Sequence, residues 1–570
     1  MPISEAPLLE APAVPDSYGH NLFDADPDLV PLLGIYLPPD LLAHLKPHLH
    51  RLGGLVGGRL ETLAATADKE TPKLMVRTRS GVATNEIIYN AAYREMEKIG
   101  FSEFGLAAAS HAPVLGWHAP LPPTAKYALF YMFGQAEHGL TCPLNMTDSF
   151  TRTLKKHGDP SLVERYLPRL TSLDIDELFQ GAMFLTEQRG GSDISRTQTR
   201  ARHDGKTWRL YGDKWFCSNT SADVIMVLAR PDDAPPGMSG VTLFLMPKVK
   251  DDGSPNDYRI VALKDKICAR SMATGEVRLE GAQAFQIGDI GRGFQLISEM
   301  VMSSRLSNGV RSSALMRRAL SEALWLSRHR YAFGKLLEEL PLMRVQLNKM
   351  TLLTEQGRSF SFHAGSLLGL ADGGDVQAKR LVRLMTPLVK FRACRDARKV
   401  TGDAMEVRAG CGIVEEWPEP RLMRDSFSGT IGEGTSNIVA LDVYRAIQRG
   451  DALDAYAAHL RSLLDKVRDA GLKALLAGRI DVVIPCARHN AVSMREELAR
   501  DTASALYHLG CAVIMAWEAS QPGLAHRADL ARDVLKHRLD PQLHRLGDAQ
   551  AGDAPNGSAV ASVAAVLAHA

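Results

Sequence analysis

KTWRLYGDKWFCSN (206–219), ADVIMVLAR (222–230) and SGVTLFLMPK (239–248) break the helical pattern on either side of them. They are short, rich in aromatic and β-branched residues, and separated by Gly, Asp and Pro clusters. They therefore read as antiparallel strands of a unit that ends at about residue 287. Upstream, LPPDLLAHLKPHLHRLGGLVGGRLETLAATA (37–67) spaces Leu and Val three and four apart, which gives a helical apolar stripe. NEIIYNAAYREMEKIGF (85–101) reads the same way, with Asn85 as N-cap and Gly100 as stop. Downstream come long helices over 297–333, 346–370 and 376–407, and a shorter one over 436–450. The fold class that follows is mainly α with a central β domain.

The 570 residues exceed what one hydrophobic core supports, so several packed units are expected. They divide into a flexible arm at 1–27, a helical domain at 28–180, the β domain at 181–288 and a helical bundle at 289–450. A helical extension at 451–547 and a low-complexity, disordered tail at 548–570 follow. A formal net charge of +2 gives no whole-chain argument for nucleic acid or membrane. No apolar run approaches the roughly 20 residues that span a bilayer. The start, MPISEAPLLEAPAVPDS, is acidic and Pro-rich, unlike a signal or transit peptide. Seven scattered cysteines show no zinc or redox spacing and read as free thiols in a reducing compartment. A soluble cytoplasmic protein is expected.

Four stretches carry chemistry. MFLTEQRGGSD (183–193) offers the Thr186 hydroxyl, Gly190, Gly191 and Ser192, which suit close backbone approach to a polar ligand such as a pyrophosphate, although the same residues make ordinary turns. DKWFCSN (213–219) sets aromatics beside a hydroxyl, suited to a flat ring system or to a core-facing strand. RYAFGKLL (330–337) reads as a plain helix C-terminus. RLMRDSFSGTIGEGTSN (421–437) puts Glu433 between two glycines, ahead of a helix N-terminus at Thr435, Ser436 and Asn437 that suits an anionic group.

The order and spacing of these four stretches resemble the acyl-CoA dehydrogenase family from about residue 30 to residue 450. The TEQRGGSD form, LKDKICARSMATGEV (263–277), PLMR (341–344), AMEVRAGCG (404–412) and the helical extension resemble its AidB-like branch. The resemblance implies an N-terminal helical domain, a small antiparallel β-barrel and a C-terminal four-helix bundle, with FAD between barrel and bundle. It also implies a homo-oligomer, a tetramer built as a dimer of dimers. Leu185, Thr186, Gly191 and Ser192 match positions that hold the flavin and its pyrophosphate. Phe216 matches an aromatic over one flavin face, and Ser218 the neighbouring hydroxyl. Arg330 and Phe333 match positions from which a second subunit reaches the ADP half of FAD. Glu406 and Gly410 match a further cofactor segment, and Thr435 and Asn437 the flavin contacts after the base.

Glu433 matches the catalytic base that removes the α-proton of an acyl-CoA, with Gly432 and Gly434 lining the substrate. The product is a trans-2-enoyl thioester, and electrons pass on to an electron-transfer flavoprotein or another acceptor. MVMSSRLS (300–307), where some members carry the base, has no carboxylate, and Arg305 within it is expected on the thioester side of the pocket. An AidB-like flavoprotein that binds DNA is the alternative, and the near balance of acidic and basic residues in 451–547 speaks against it. Walker A, HExxH and GxSxG motifs are absent. GDIGRGF (288–294) lacks a dinucleotide-binding setting, and the 18 histidines show no metal-ligand spacing.

Three positions depart from the family pattern. Glu406 replaces a common Gln, Pro341 stands near another, and Gly432 stands where an aromatic usually precedes the base. The missing ring implies a wider acyl pocket. Gly432→Tyr is expected to lower kcat/KM for branched acyl-CoAs more than for straight ones, and an equal loss for both would sink the idea.

Overall fold

The computed structural model describes residues 14–551. The described part of the expected arm is docked, because its apolar pair Leu22 and Phe23 finds room in the main core. The Ser17 hydroxyl also donates to the buried Glu322 carboxylate at 2.7 Å. Helices α1 (Leu29–Tyr36), α2 (Pro39–Gly57) and α3 (Arg59–Lys69) follow. In α2 the buried stripe Leu41, Leu45, Leu49, Leu52 and Val56 keeps the three-and-four spacing read from sequence.

The next segment corrects the sequence reading. Strands β1 (Lys73–Arg77) and β2 (Ala83–Ile88) form an antiparallel hairpin, so Asn85 lies in a strand. Its carboxamide donates to the Tyr258 carbonyl at 2.7 Å and accepts from the Ile260 N–H at 2.9 Å, stapling the hairpin to the β domain. The β-branched pair Ile87–Ile88 alternates buried and exposed, which is strand behaviour. The true N-cap is Asn90, whose side chain accepts from the Tyr93 N–H at 2.8 Å. Helix α4 (Ala91–Glu97) then runs through Gly100 as a π-helical turn, Lys98–Glu103. Helix α5 (Pro123–Phe133) is buried from Thr124 onward, and α6 (Thr141–His157) and α7 (Pro160–Leu170) complete the unit.

The β domain comprises β3 (Gly181–Phe184), β4 (Arg200–His203), β5 (Trp208–Ser218), β6 (Val224–Pro231), β7 (Thr242–Pro247), β8 (Tyr258–Leu263) and β9 (Thr274–Ile287). Pairings β6–β4–β5–β9–β7–β6 close a small barrel, with β3 added beside β6 and β8 beside β9. Two pairings, β3–β6 and β4–β6, are parallel, so the expected all-antiparallel pattern is incomplete. Strand β6 is buried on both faces. Ile225, Val227 and Ala229 point into the main core, while Val224, Met226 and Leu228 point into a second core shared with α6, α7 and the next helix.

That next helix is α8 (Gly293–His329), which packs with α9 (Pro341–Asp372), α10 (Val376–Arg408) and α13 (Ser436–Gln448) as the bundle. Between α8 and α9, RYAFGKLL forms a two-residue hairpin, β10 (Tyr331–Ala332) with β11 (Lys335–Leu336), and not a helix end. Phe333 and Gly334 at its tip both have positive φ, the requirement of a tight twisted turn. Short helices α11 (Pro418–Ser426) and α12 (Ser428–Ile431) lead from α10 to α13.

The extension, α14 (Ala452–Leu464), α15 (Ala470–Val492), α16 (Ala499–Glu518), α17 (Arg527–Val534) and α18 (Asp540–Ala551), covers the bundle. Helix α18 runs beyond residue 547, and the rest of the expected tail lies outside the described residues. Buried charges tie the extension down. Arg527 donates to Glu355 and Glu518 at 2.7 Å each, and Arg358 pairs with Asp26 and Glu355. His363 of α9 and His459 of α14 meet Nε2 to Nε2 at 2.7 Å, so at least one ring is neutral. Burial holds His459 down to about 4 and His363 well below the ordinary value, with each lowered further by a neighbouring cation or ring.

An unfolded chain protonates both rings near pH 6.5 while the folded one does not, so their contribution to stability is present above pH 6.5 and lost as pH falls from there towards about 4. His459→Gln is expected to flatten the fall in Tm over that window relative to the unmodified protein, as read by thermal melts across pH.

Candidate active site

The loop between α12 and α13 carries the carboxylate singled out from sequence. Glu433 has φ +59° and Gly434 φ +100°, two consecutive residues in the left-handed region. Glycine suits the second position, since a Cβ there would meet the Arg305 guanidinium at 3.4 Å and Ile438 at 3.3 Å. For Glu433 the conformation is strained, and the surroundings hold it. Arg305 Nε of α8 donates to the Glu433 carbonyl at 3.0 Å, and its Nη1 pairs with Asp442 of α13 at 2.7 Å. Arg383 of α10 braces the same Asp442 at 2.7 Å. The buried Lys390 ammonium donates to the Gly434 carbonyl. Arg305, expected on the thioester side, is thus committed to the loop.

Glu433 is half-buried. Loss of water raises its carboxyl above the ordinary value, against the opposing pull of Arg305, a hydrogen bond from Ser304, and the charges of Lys390 and Arg311. Among the described residues no acceptor takes the Glu433 N–H, and the next backbone donor with a partner is Val439, bonded to the Thr435 carbonyl at 3.0 Å. Thr435, the N-cap, makes no side-chain cap bond, and it and Asn437 are exposed. The start of α13 therefore offers free N–H groups beside the carboxylate.

The second group of expected residues gathers at the barrel rim. The Trp215 N–H donates to the Thr186 carbonyl at 2.8 Å, which joins the TEQRGGSD turn to β5. Phe216 is 51% exposed there, Ser218, Leu185 and Thr186 are half-buried, and Gly191 and Ser192 are exposed. Lys264 covers the Trp215 ring at 3.3 Å. Beneath the turn lies a residue the sequence reading passed over. The Glu187 carboxylate accepts from the Gln198 N–H (2.7 Å), the Thr199 hydroxyl (2.6 Å) and the buried Lys214 ammonium (2.7 Å). Lys214 also donates to the Leu228 carbonyl at 2.8 Å, so this turn is anchored to two strands.

The 263–274 segment connects the two groups. Lys266 donates to the Thr274 hydroxyl at 2.9 Å on the barrel side, and the Ala269 N–H donates to Asp425 of α11 at 2.7 Å on the loop side. The Cys142 thiol of α6 lies within the field of both Lys266 and Glu433. The two groups so linked present an exposed aromatic and hydroxyls on the barrel rim, and free backbone donors with a carboxylate on the loop. That donor set suits a flat, partly anionic cofactor such as FAD beside a base.

The third group lies apart from the Glu433 loop. Arg330 follows the end of α8, 25 residues beyond Arg305, which is roughly 37 Å along the helix at 1.5 Å per residue. Phe333 is 95% exposed on the β10–β11 hairpin, and Glu406 and Gly410 are exposed at the end of α10. Glu406 is near Gln346 at 3.5 Å and turns no bond inward. Ile413 is likewise exposed, so this end of the bundle presents apolar surface. Lys390, Asp442, Arg383 and Ser304 left no sequence signal, since each reads as an ordinary helix residue. Among the described residues there is no cluster fit to hold a metal, no helix long and apolar enough to cross a membrane, and no disulfide.

A barrel packed on a four-helix bundle, with a carboxylate on the loop between α12 and α13, fits a flavin-dependent oxidoreductase class. Family models match here: "Acyl-CoA dehydrogenase, middle domain" over 182–282, "Acyl-CoA dehydrogenase, C-terminal domain" over 291–448, and "Adaptive response protein AidB N-terminal domain" over 13–177. Acyl-CoA dehydrogenase family member 11 of Caenorhabditis elegans is 32% identical over 80% of this chain and 75% of its own. The putative acyl-CoA dehydrogenase AidB of Escherichia coli is 31% identical over 70% and 72%. A crystal structure of Caenorhabditis elegans ACDH-11 in complex with C11-CoA superposes with a TM-score of 0.86 at 26% identity, covering 98% of this chain and 99% of that one. The chain belongs to the acyl-CoA dehydrogenase family, carries the AidB N-terminal domain, and is an FAD-dependent oxidoreductase.

Lys214→Met leaves the buried Glu187 carboxylate without its counter-charge, which costs about 3–5 kcal/mol. Urea unfolding should show that loss, together with weaker FAD retention on gel filtration. Unchanged stability would mean that Glu187 does not anchor the turn.

Proposed function

We propose that the protein dehydrogenates an acyl-CoA to a trans-2-enoyl-CoA with Glu433 as the base. The observation that carries this is a desolvated carboxylate, with proton affinity above the ordinary carboxylate range, fixed next to an unoccupied backbone donor. Glu433 takes the α-proton of the bound thioester. The Glu433 N–H is placed to hydrogen-bond the thioester oxygen as negative charge grows on it, which lowers the cost of that proton transfer. FAD, when bound, supplies the hydride-accepting function for the β-carbon.

Leu185, Thr186, Gly191, Ser192, Phe216, Ser218, Thr435 and Asn437 are the groups of one chain that would hold the cofactor. Arg330, Phe333, Glu406 and Gly410 lie too far from Glu433 to serve the same cleft, so we assign them to the cofactor of a second copy in a homo-oligomer, a tetramer in the family pattern. The exposed Phe333 and Ile413 fit burial in such an interface. An acyl-CoA of medium length is supported by the likeness to ACDH-11, whose structure holds C11-CoA. Electron-transfer flavoprotein or another acceptor would take the electrons. Among the described residues no cysteine forms a disulfide, which agrees with a reducing, cytoplasmic setting. Arg461, Arg479, Arg488 and Arg532 of the extension are each ion-paired with an Asp, which withdraws part of its positive charge from DNA phosphates.

Anaerobic titration of the purified flavoprotein with straight and branched acyl-CoAs should bleach the flavin band. Glu433→Gln should abolish the bleaching, and the reduction rate should fall as pH drops through the raised value of the Glu433 carboxyl. A flavin that no acyl-CoA reduces would move the weight to the DNA-binding alternative.

A further inference from the structure

We infer that Lys390 is a positioning residue for the base: its buried ammonium, together with Arg305, clamps the two consecutive carbonyls of the Glu433–Gly434 turn and sets the orientation of the Glu433 carboxylate. The inference rests on the reading of Glu433 as the base. Lys390 stands in the middle of α10, only 1% exposed, with no carboxylate hydrogen-bonded to it. A lysine buried that deeply is costly unless its donors are used, and here a backbone carbonyl of the catalytic turn uses one. Arg305 holds the preceding carbonyl from α8 at 3.0 Å. The two residues of the turn have positive φ, a conformation that relaxes unless both ends are held.

The same ammonium also acts on the charge of the base. Glu433 is faced by Arg305, Arg311 and Ser304 from α8, by Lys390 from α10 and by Cys142 from α6. Lys390 is faced by Arg305 from α8, by Cys394 on its own helix and by Glu433 from the turn. Burial and Arg305 bring Lys390 down to about 8, while Cys394 and Glu433 oppose that fall, so it remains mostly charged at neutral pH and favours the ionised base. Removing the cation therefore raises the Glu433 carboxyl further.

The test is anaerobic stopped-flow reduction of the full-length, FAD-loaded protein by the acyl-CoA that reduces it fastest, across pH, for the unmodified chain, K390M, K390Q and E433Q. K390M should reduce about 10- to 100-fold more slowly, the scale expected when a reacting group is misplaced by about 1 Å. Its half-saturating acyl-CoA should change little, and its pH inflection should move to higher pH. K390Q, which keeps a donor without the charge, should recover part of the rate while keeping the shifted inflection. An unmodified rate and inflection in K390M, with E433Q inactive, would overturn the inference and leave the base assignment standing. Full reduction in E433Q would instead remove the base on which the clamp acts. Loss of bound FAD in both Lys390 variants would make the residue structural and overturn the inference as well.

Discussion

The site depends on holding a carboxylate on a left-handed turn in a place partly stripped of water. Desolvation favours the protonated acid, whereas Arg305, Ser304, Lys390 and Arg311 favour the ionised one. Both pulls act on the same group because α8 and α10 deliver cations to a loop that crosses between them. The Asp442 carboxylate absorbs the remaining charge of Arg305 and is itself braced by Arg383. Helices α8 and α10 of the bundle are thus the frame on which the Glu433 turn is mounted, since each supplies one fixed point of it.

The barrel meets that frame through its two-sided strand. Because β6 is buried on both faces, alternate side chains serve two cores, one inside the barrel and one against α6, α7 and α8. The second core sets the barrel against the start of α8, and the Gly293 N–H bonded to the Val241 carbonyl at 2.9 Å fixes the junction. The extension acts differently: its buried arginines and the His363–His459 contact lock α14, α16 and α17 onto α9 and the N-terminal segment.

Much of the site was legible because chemistry that needs a special backbone leaves punctuation. GEG around Glu433 is such a mark, whereas neither Gly190 nor Gly191 of GGSD has positive φ. Boundaries were less legible where local propensities competed. The NEII segment has a helical spacing of apolar residues, yet two adjacent isoleucines pair better across a hairpin, and Asn85 became a strand staple while Asn90 took the cap. RYAFGKLL reads as a helix end by composition, but Phe333 accepts positive φ beside Gly334 and the chain turns as a hairpin.

The sequence by itself determined the order of helical, β and helical units, the turn that bears Glu433, and the likeness to the acyl-CoA dehydrogenases, because periodicity and glycine placement are local properties of the chain. Only the tertiary structure decided which cations hold that turn, that Glu187 and Lys214 anchor the barrel rim, and that Arg330 lies most of a long helix away from Arg305, which holds the turn. A lysine or aspartate on a helix carries no local mark of its partner. Its role is set by burial and by what a segment distant in sequence brings within hydrogen-bonding reach.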